Sequence, residues 1–340
     1  MHKLKVGILA GGPSSEHEIS CISAGGILGA IDHNLYEPTL IGIKKNGDWV
    51  IPAPDQILEI QNGVLPEISS GRVLGIAEII TELHLDVMFP ILHGPFGEDG
   101  TVQAIFESMG IPYVGSGVLA SSLAMDKSRS KIIFTSHKLK VADGICVEAV
   151  EWDVSQNVDI STLTFPLFVK PARGGSSRGT TKVKNRASLN AAITEAFLFD
   201  TKVMIESAVN GREIECGVLQ IDGVATASPV GEIIILGDHE FYDFEAKYLD
   251  GSTQMMCPAQ LPAGVEDEIR ACAIRAFNAL ECKGLARVDF FYSAAGEIII
   301  NELNTMPGFT PTSVYPKLLA KSGVSYSELI TRLIQSALTN

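Results

Sequence analysis

The run Leu285-Ala286-Arg287-Val288-Asp289-Phe290-Phe291-Tyr292, followed by Glu297-Ile298-Ile299-Ile300-Asn301-Glu302-Leu303-Asn304, decides how the chain is read. Both runs are rich in apolar, β-branched and aromatic residues, which predicts strands. Alternate residues of a strand face the same way, so Arg287 shares a face with Asp289, and Glu302 with Asn304. If the two strands are neighbours, three oxygen donors converge. Carboxylate and amide oxygens suit magnesium, whose remaining positions are filled by water and phosphate. On these residues alone, the solvated face of an edge hairpin explains the pattern equally well.

Upstream, strand-like segments from Arg212 to Leu236 lead into a polar loop to Pro262 and a helix to about Glu281. Further back, strands at Gly144 to Ala149, Pro166 to Lys170 and Lys202 to Ile205, with a helix from Ala187 to Phe199, predict a small α+β unit. A polar, basic helix over Asp126 to Lys140 precedes it. At the amino end Leu4 to Leu9 reads as a strand, Gly11 to Ser15 as a turn, and an apolar-periodic helix runs to about Ile31. With apolar runs at Thr39 to Ile43 and Leu85 to Leu92, this βα unit predicts a parallel sheet. The fold class is therefore α/β followed by α+β. Asp48 to Ile80 carries no recognisable pattern, and there is no internal repeat.

Four further segments carry chemistry. In Lys170-Pro171-Ala172-Arg173-Gly174-Gly175-Ser176-Ser177-Arg178-Gly179, glycines allow backbone N–H groups close to phosphate oxygens and the lysine adds a point charge. Thr180-Thr181 stands where a Walker loop needs Lys-Ser/Thr, so that class of NTPase is disfavoured, and Ser176 lacks the flanking glycines of a nucleophile elbow. Gly11-Gly12-Pro13-Ser14-Ser15-Glu16-His17-Glu18 lacks the dinucleotide spacing. Ser15 and Glu18 fit a capping box, and Glu16, one position inside the helix, either complements the dipole or serves a ligand. Leu92-His93-Gly94-Pro95-Phe96-Gly97-Glu98-Asp99-Gly100 follows a buried-type strand, at the carboxyl edge where open α/β sheets bind ligands. Phe241-Tyr242-Asp243-Phe244-Glu245-Ala246-Lys247-Tyr248 lies in a long polar loop of the kind that forms lids.

Composition narrows the class. With 46% hydrophobic and 19% charged residues over 340 positions, the chain is globular and long enough for two or three compact units. A formal net charge of -14 without a basic run disfavours nucleic acid. The apolar runs Ile233 to Leu236 and Ile298 to Ile300 fall far short of the ~20 residues of a membrane span, and no secretory pattern follows Met1, so the expected location is the cytoplasm. The six cysteines show no CxxC spacing and read as reduced thiols.

Taken in order, from Gly11 to about Pro316, these segments closely resemble the D-alanine–D-alanine ligases of the ATP-grasp superfamily. The resemblance implies an N-terminal α/β, Rossmann-like domain (1–125), a central ATP-grasp domain (126–209) and a C-terminal ATP-grasp domain with metal site and lid (210–340). ATP is then held between the last two. Lys127 and Lys170 contact its phosphates, Glu206, Ser207, Ala208 and Val209 lie beside adenine, and Glu213 binds the ribose. Asp289, Glu302 and Asn304 hold two magnesium ions, with manganese as the alternative.

The same resemblance implies a substrate pair of two D-alanines and a homodimer serving peptidoglycan precursor synthesis. Glu16 takes the first ammonium, His93 lies near the first carboxylate, and Ser313 receives the second carboxylate. Arg287 and the Gly308 N–H meet the oxyanion. Ser176, Tyr248 and Glu16 pin the lid, while Lys247 reaches the transferred phosphate. Ligases forming D-alanyl-D-lactate or D-alanyl-D-serine are the alternative within this chemistry, and a non-catalytic nucleotide-binding regulator is the alternative outside it. Arg178 and Val314 depart from the family pattern, where a small apolar residue and leucine are usual.

Overall fold

The computed structural model describes residues 2–62, 65–236 and 253–339, and within them the strands form three sheets. The first contains β1 (Leu4–Gly11), β2 (Tyr36–Ile43), β3 (Trp49–Ile51), β4 (Arg72–Val73) and β5 (Val87–Pro90), in the order β4-β3-β2-β1-β5. Central β1 runs parallel to both β2 and β5, as its near-continuous apolar run predicts. The edge is antiparallel, and it comes from the unpatterned stretch, which also supplies helices Pro54–Asn62 and Ile76–Leu83.

The first helix spans His17–Ala30, with Glu16 at its N-cap. The capping box expected from Ser15 and Glu18 does not form. Ser14 Oγ closes the turn by accepting from Glu16 N (3.2 Å) and donating to the His93 carbonyl (2.8 Å). Glu18 instead pairs with Lys45 at 2.6 Å. Glu16 consequently leaves the helix surface and points into the interior.

The second sheet is antiparallel, in the order β6-β9-β7-β8, with β6 at Gly144–Glu148, β7 at Leu167–Pro171, β8 at Thr181–Val183 and β9 at Lys202–Ser207. Trp152, Leu189 and Ile193, from the helices Ala149–Ser155 and Leu189–Ala196, bury against it. The third sheet, β12-β11-β10-β13-β14, is also antiparallel: β10 (Gly211–Ile221), β11 (Val224–Ile235), β12 (Thr253–Met256), β13 (Leu285–Ser293) and β14 (Ile298–Asn304). Strand β12 falls in a stretch expected to be loop, and pairing with β11 satisfies its backbone. Helix Val265–Ala279 covers this sheet with Ile269, Cys272, Ala273, Ala276 and Phe277, one helical stripe.

The chain's end returns to its beginning. Leu329, Ile330, Leu333 and Ile334 of helix Tyr326–Thr339 share one core with Val6, Ile8 and Phe89 of the first sheet. Phe309 sits inside that core, its ring 5.6 Å from Phe89 and 5.6 Å from Tyr326, and its carbonyl accepts from the Tyr326 hydroxyl at 2.6 Å. Residues 306–313 are thereby held against the first sheet.

Two glycines of the first helix test this packing with opposite signs. A Cβ on Gly25 would come closer than 3.0 Å to the Ile60 carbonyl, whereas one on exposed Gly29 meets nothing within 4 Å. Gly25→Ala should lower stability by about 1–3 kcal/mol, and Gly29→Ala should raise it by about 0.5–1 kcal/mol. Thermal unfolding midpoints of the two variants check both directions.

Candidate active site

The antiparallel register of β13 and β14 sets Asp289 opposite Glu302 and Arg287 opposite Asn304, so the side chains read from two strands meet across one ladder. On the other side, β10 sets Glu215 opposite Asp289. The Arg287 guanidinium donates to both Asp289 oxygens at 2.7 Å and lies 3.0 Å from Glu215 Oε2. Asn304 Nδ2 donates to Asp289 Oδ2 at 2.9 Å. Lys127 Nζ is 3.2 Å from Glu302 Oε2 and donates to the Gly174 carbonyl at 2.7 Å. Among the described residues no three His, Cys, Asp or Glu side chains form a metal cluster. Asp289, Glu302 and the Asn304 amide instead give a small, all-oxygen set of the kind that suits magnesium completed by water and phosphate.

Between the second and third sheets runs a cleft walled by Lys127, Lys170, Glu206, Ser207, Val209 and Glu213, with Arg287, Asp289 and Glu302 at one end. Ala208 stands outside this wall; its N–H donates to the Pro166 carbonyl at 2.9 Å and fixes the path of the strand end. Glu206 is buried, with one oxygen 2.7 Å from Lys170 Nζ and the other paired with Lys131. Burial alone would raise its carboxyl, but the two ammoniums overcome this and hold it at about 2. Lys131 is itself pulled down to about 8, by burial first, against the attraction of Glu206.

The glycine loop edges this cleft. Ser176 and Ser177 take left-handed φ angles of 49° and 58°, and Gly179 one of 68°. For the two serines such a backbone costs roughly 1–3 kcal/mol each, and it persists only where surrounding contacts impose it. The Arg173 guanidinium on Asp200 (2.5 Å) and Lys127 on the Gly174 carbonyl are such contacts. The turn delivers the Ser176 hydroxyl to the Glu16 carboxylate, to which it donates a hydrogen bond.

Beyond that bond lies a second cavity, of about 390 Å³, walled by Glu16, His93, Ser176, Arg287, Gly308 and Ser313. The Glu16 carboxylate lies so close to Gly94 and Gly175 that a Cβ on either would collide with it. His93 Nδ1 bonds the Met306 carbonyl at 3.0 Å, and Nε2 lies 3.3 Å from Ser23 Oγ. A carbonyl only accepts, so Nδ1 carries the proton and Nε2 accepts from the serine. Burial, partly opposed by Glu16, keeps the ring below its usual range and therefore neutral. Ser313 is the N-cap of helix Val314–Lys321, with Oγ accepting from Thr310 N at 3.0 Å. Lys247, Tyr248 and the rest of the expected lid lie outside the described residues.

Three residues at the site were not singled out by sequence. Glu98 accepts from Gly94 N (2.8 Å) and Met306 N (3.2 Å), and burial, then the nearby Glu16 charge, pushes its carboxyl up to about 8. Glu215 shares a strand face with Glu213, and Lys131 stands one helical turn after Lys127. Both spacings were available as signals.

Residues 5–116 match the sequence profile described as D-ala D-ala ligase N-terminus, and residues 133–335 match that of the D-ala D-ala ligase C-terminus. A D-alanine–D-alanine ligase from Paenarthrobacter aurescens (strain TC1) is 47% identical over 98% of this chain and 95% of its own length. One from Kineococcus radiotolerans is 46% identical over 99% and 97%. Among solved structures, the VanG D-Ala:D-Ser ligase from Enterococcus faecalis superposes with a TM-score of 0.84 at 35% identity, covering 99% of this chain and 100% of the other. The D-alanine-D-alanine ligase from Coxiella burnetii gives 0.81 at 30% identity, covering 100% and 95%. Two profiles in order, nearly full-length relatives and the ATP-grasp arrangement of sheets agree that the chain belongs to the D-alanine–D-alanine ligase family.

Proposed function

We propose that the protein joins two D-alanines into D-alanyl-D-alanine, converting ATP to ADP and phosphate. One observation carries this reading. The cleft and the second cavity share a wall made of Lys127, Gly174, Gly175, Ser176, Arg287 and Glu302, so a group held in one can react with a group held in the other. The cleft suits a nucleotide, with adenine beside Glu206 to Val209, the ribose on Glu213 and the phosphates toward Lys127 and Lys170. A magnesium pair on Asp289, Glu302 and Asn304 would supply charge neutralisation of phosphate oxygens.

The residues of the chain act as follows. Glu16 takes the ammonium of the first D-alanine, and neutral His93 lies beside its carboxylate without adding charge. A carboxylate oxygen attacks the γ-phosphorus, ADP leaves, and an acyl phosphate remains. The amine of the second D-alanine, placed by Ser313, attacks the acyl carbon. The developing oxyanion is met by Arg287 and the Gly308 N–H, donors of a kind worth roughly 3 kcal/mol each. Phosphate departs with the carboxylate oxygen and takes up the proton that the amine gives up as the amide forms. Lys247 and Tyr248 belong to this reading as lid residues, and the three-domain division and a two-subunit assembly go with it.

D-Alanine is the favoured second substrate because the relatives at 46–47% identity bear that name, whereas the D-Ala:D-Ser ligase is 35% identical. Incubation with ATP, magnesium and D-alanine, with D-serine and D-lactate as competitors, should release ADP only with D-alanine and yield chiefly the D-alanyl-D-alanine mass. ADP release indifferent to D-alanine, or D-alanyl-D-serine as the main product, would overturn the assignment.

Asp289→Asn and Glu302→Gln should each keep the fold and lower kcat roughly 100-fold or more, about 3 kcal/mol in the barrier. Near wild-type ADP formation at limiting magnesium would remove the metal role. Glu16→Gln should instead raise the KM of the first D-alanine, since truncating a buried charge pair costs about 2–5 kcal/mol. Initial rates over a D-alanine series, which separate the two substrate sites, measure it.

A further inference from the structure

Helix Lys127–Ser136 starts at Asp126, whose Oδ1 accepts from Ser128 N and Arg129 N at 3.1 Å each. Lys127 and Lys131 stand four residues apart on it and so share a face. Lys127 reaches the glycine loop and Glu302. Lys131 goes elsewhere: it is only 6% exposed, and its ammonium ends on Glu206, itself 4% exposed. Lys131 is not among the described residues that line the cleft, and no step of the proposed reaction uses it.

From these contacts we infer that Lys131 is a positioning residue for ATP, acting through Glu206 to keep Lys170 oriented and the group net positive toward the nucleotide phosphates. The inference rests on the reading that those phosphates lie against Lys170. A buried Lys170–Glu206 pair alone would be neutral, its ammonium largely spent on the carboxylate 2.7 Å away. A second buried ammonium on the other carboxylate oxygen leaves two positive charges against the one negative charge of Glu206, since the nearby Glu302 is balanced by Lys127 at 3.2 Å. The surplus charge is available to an anion at Lys170, which of the two ammoniums is the one that lines the cleft. With both Glu206 oxygens engaged, the carboxylate cannot swing, and it anchors Lys170 from below while Asn301 Oδ1 lies 3.4 Å from the same ammonium. A rigid support of this kind fixes a contact group in its productive geometry.

The charged groups facing Lys131 are Glu206 on β9, Lys170 on β7 and Glu302 on β14. Burial outweighs the acidic neighbours and brings the Lys131 ammonium down to about 8, while Glu206 stays ionised. The sign follows. As pH rises through about 8 the Lys131 proton leaves, the surplus charge vanishes, and ATP is held less well.

The test compares KM for ATP and kcat, at saturating D-alanine and magnesium, among wild type, Lys131→Met, Lys131→Arg and Lys170→Met, with thermal melts for each. Lys131→Met should raise the ATP KM on the order of tenfold, a coupling typical of one charged network, with a smaller change in kcat. Lys131→Arg keeps the second cation, so its KM at pH 7 should stay within about threefold of wild type. Its KM should also be flat from pH 7 to 9, where that of the wild type climbs, because a guanidinium keeps its proton throughout. A Lys131→Met KM equal to wild type would overturn the inference, as would a folded Lys131→Arg no better than Lys131→Met. If Lys131→Met fails to fold, Lys131→Arg decides: a KM that climbs from pH 7 to 9 as the wild type's does would overturn the inference. If Lys170→Met leaves the ATP KM unchanged, the placement of phosphates at Lys170 fails; if it raises KM while Lys131→Met does not, only the role of Lys131 fails.

Discussion

Glu206 is held by two lysines, Asp289 by Arg287 and Asn304, Glu302 by Lys127, and Glu16 by the Ser176 hydroxyl. In a chain of net charge -14, a cleft built from carboxylates repels phosphate unless cations are fixed beside those that line it. Burying the ion-paired carboxylates is tolerable because each faces a cation; removing that cation would leave an uncompensated charge and cost several kcal/mol. The rest of the structure supplies the partners. Strand register brings Asp289 to Glu302, a helical repeat brings Lys127 and Lys131 to one side, and the strained glycine loop carries Ser176 to Glu16.

Placement of the second cavity follows from the shared core. Phe309 packs between Phe89 and Tyr326, so the segment carrying Gly308 and Ser313 is fixed against the first sheet, although it follows strands of the third. The His93–Met306 and Glu98–Met306 bonds join the same two regions at the cavity floor. These groups from distant parts of the sequence therefore meet on packed elements, which lowers the entropy of assembling a reactive geometry.

Local periodicity explains which parts were legible in the sequence. The two-residue alternation around Arg287 to Asp289 and Glu302 to Asn304 predicted strands and shared faces, and the register then brought the faces together. The apolar run of β1 predicted a parallel sheet. Residues 48–80 gave no signal because their elements are short: strands of three and two residues and helices of nine and eight leave little room for a period to show. The Ser15 and Glu18 capping pattern misled because Ser14 closes the turn through a carbonyl 79 positions away. The helical spacing of Lys131 from Lys127 is legible, but not its partner: Glu206 stands 75 positions further on, and no local pattern encodes such a pairing.

The central claim, that a carboxylate is activated by phosphorylation in the shared wall of two cavities, has a direct isotopic test. D-Alanine carrying oxygen-18 in both carboxylate oxygens is turned over with unlabelled ATP, and the phosphate released is analysed by mass. The account predicts one labelled oxygen in each phosphate per dipeptide formed, because the attacking carboxylate oxygen leaves with phosphorus. Unlabelled phosphate accompanying dipeptide formation would contradict it.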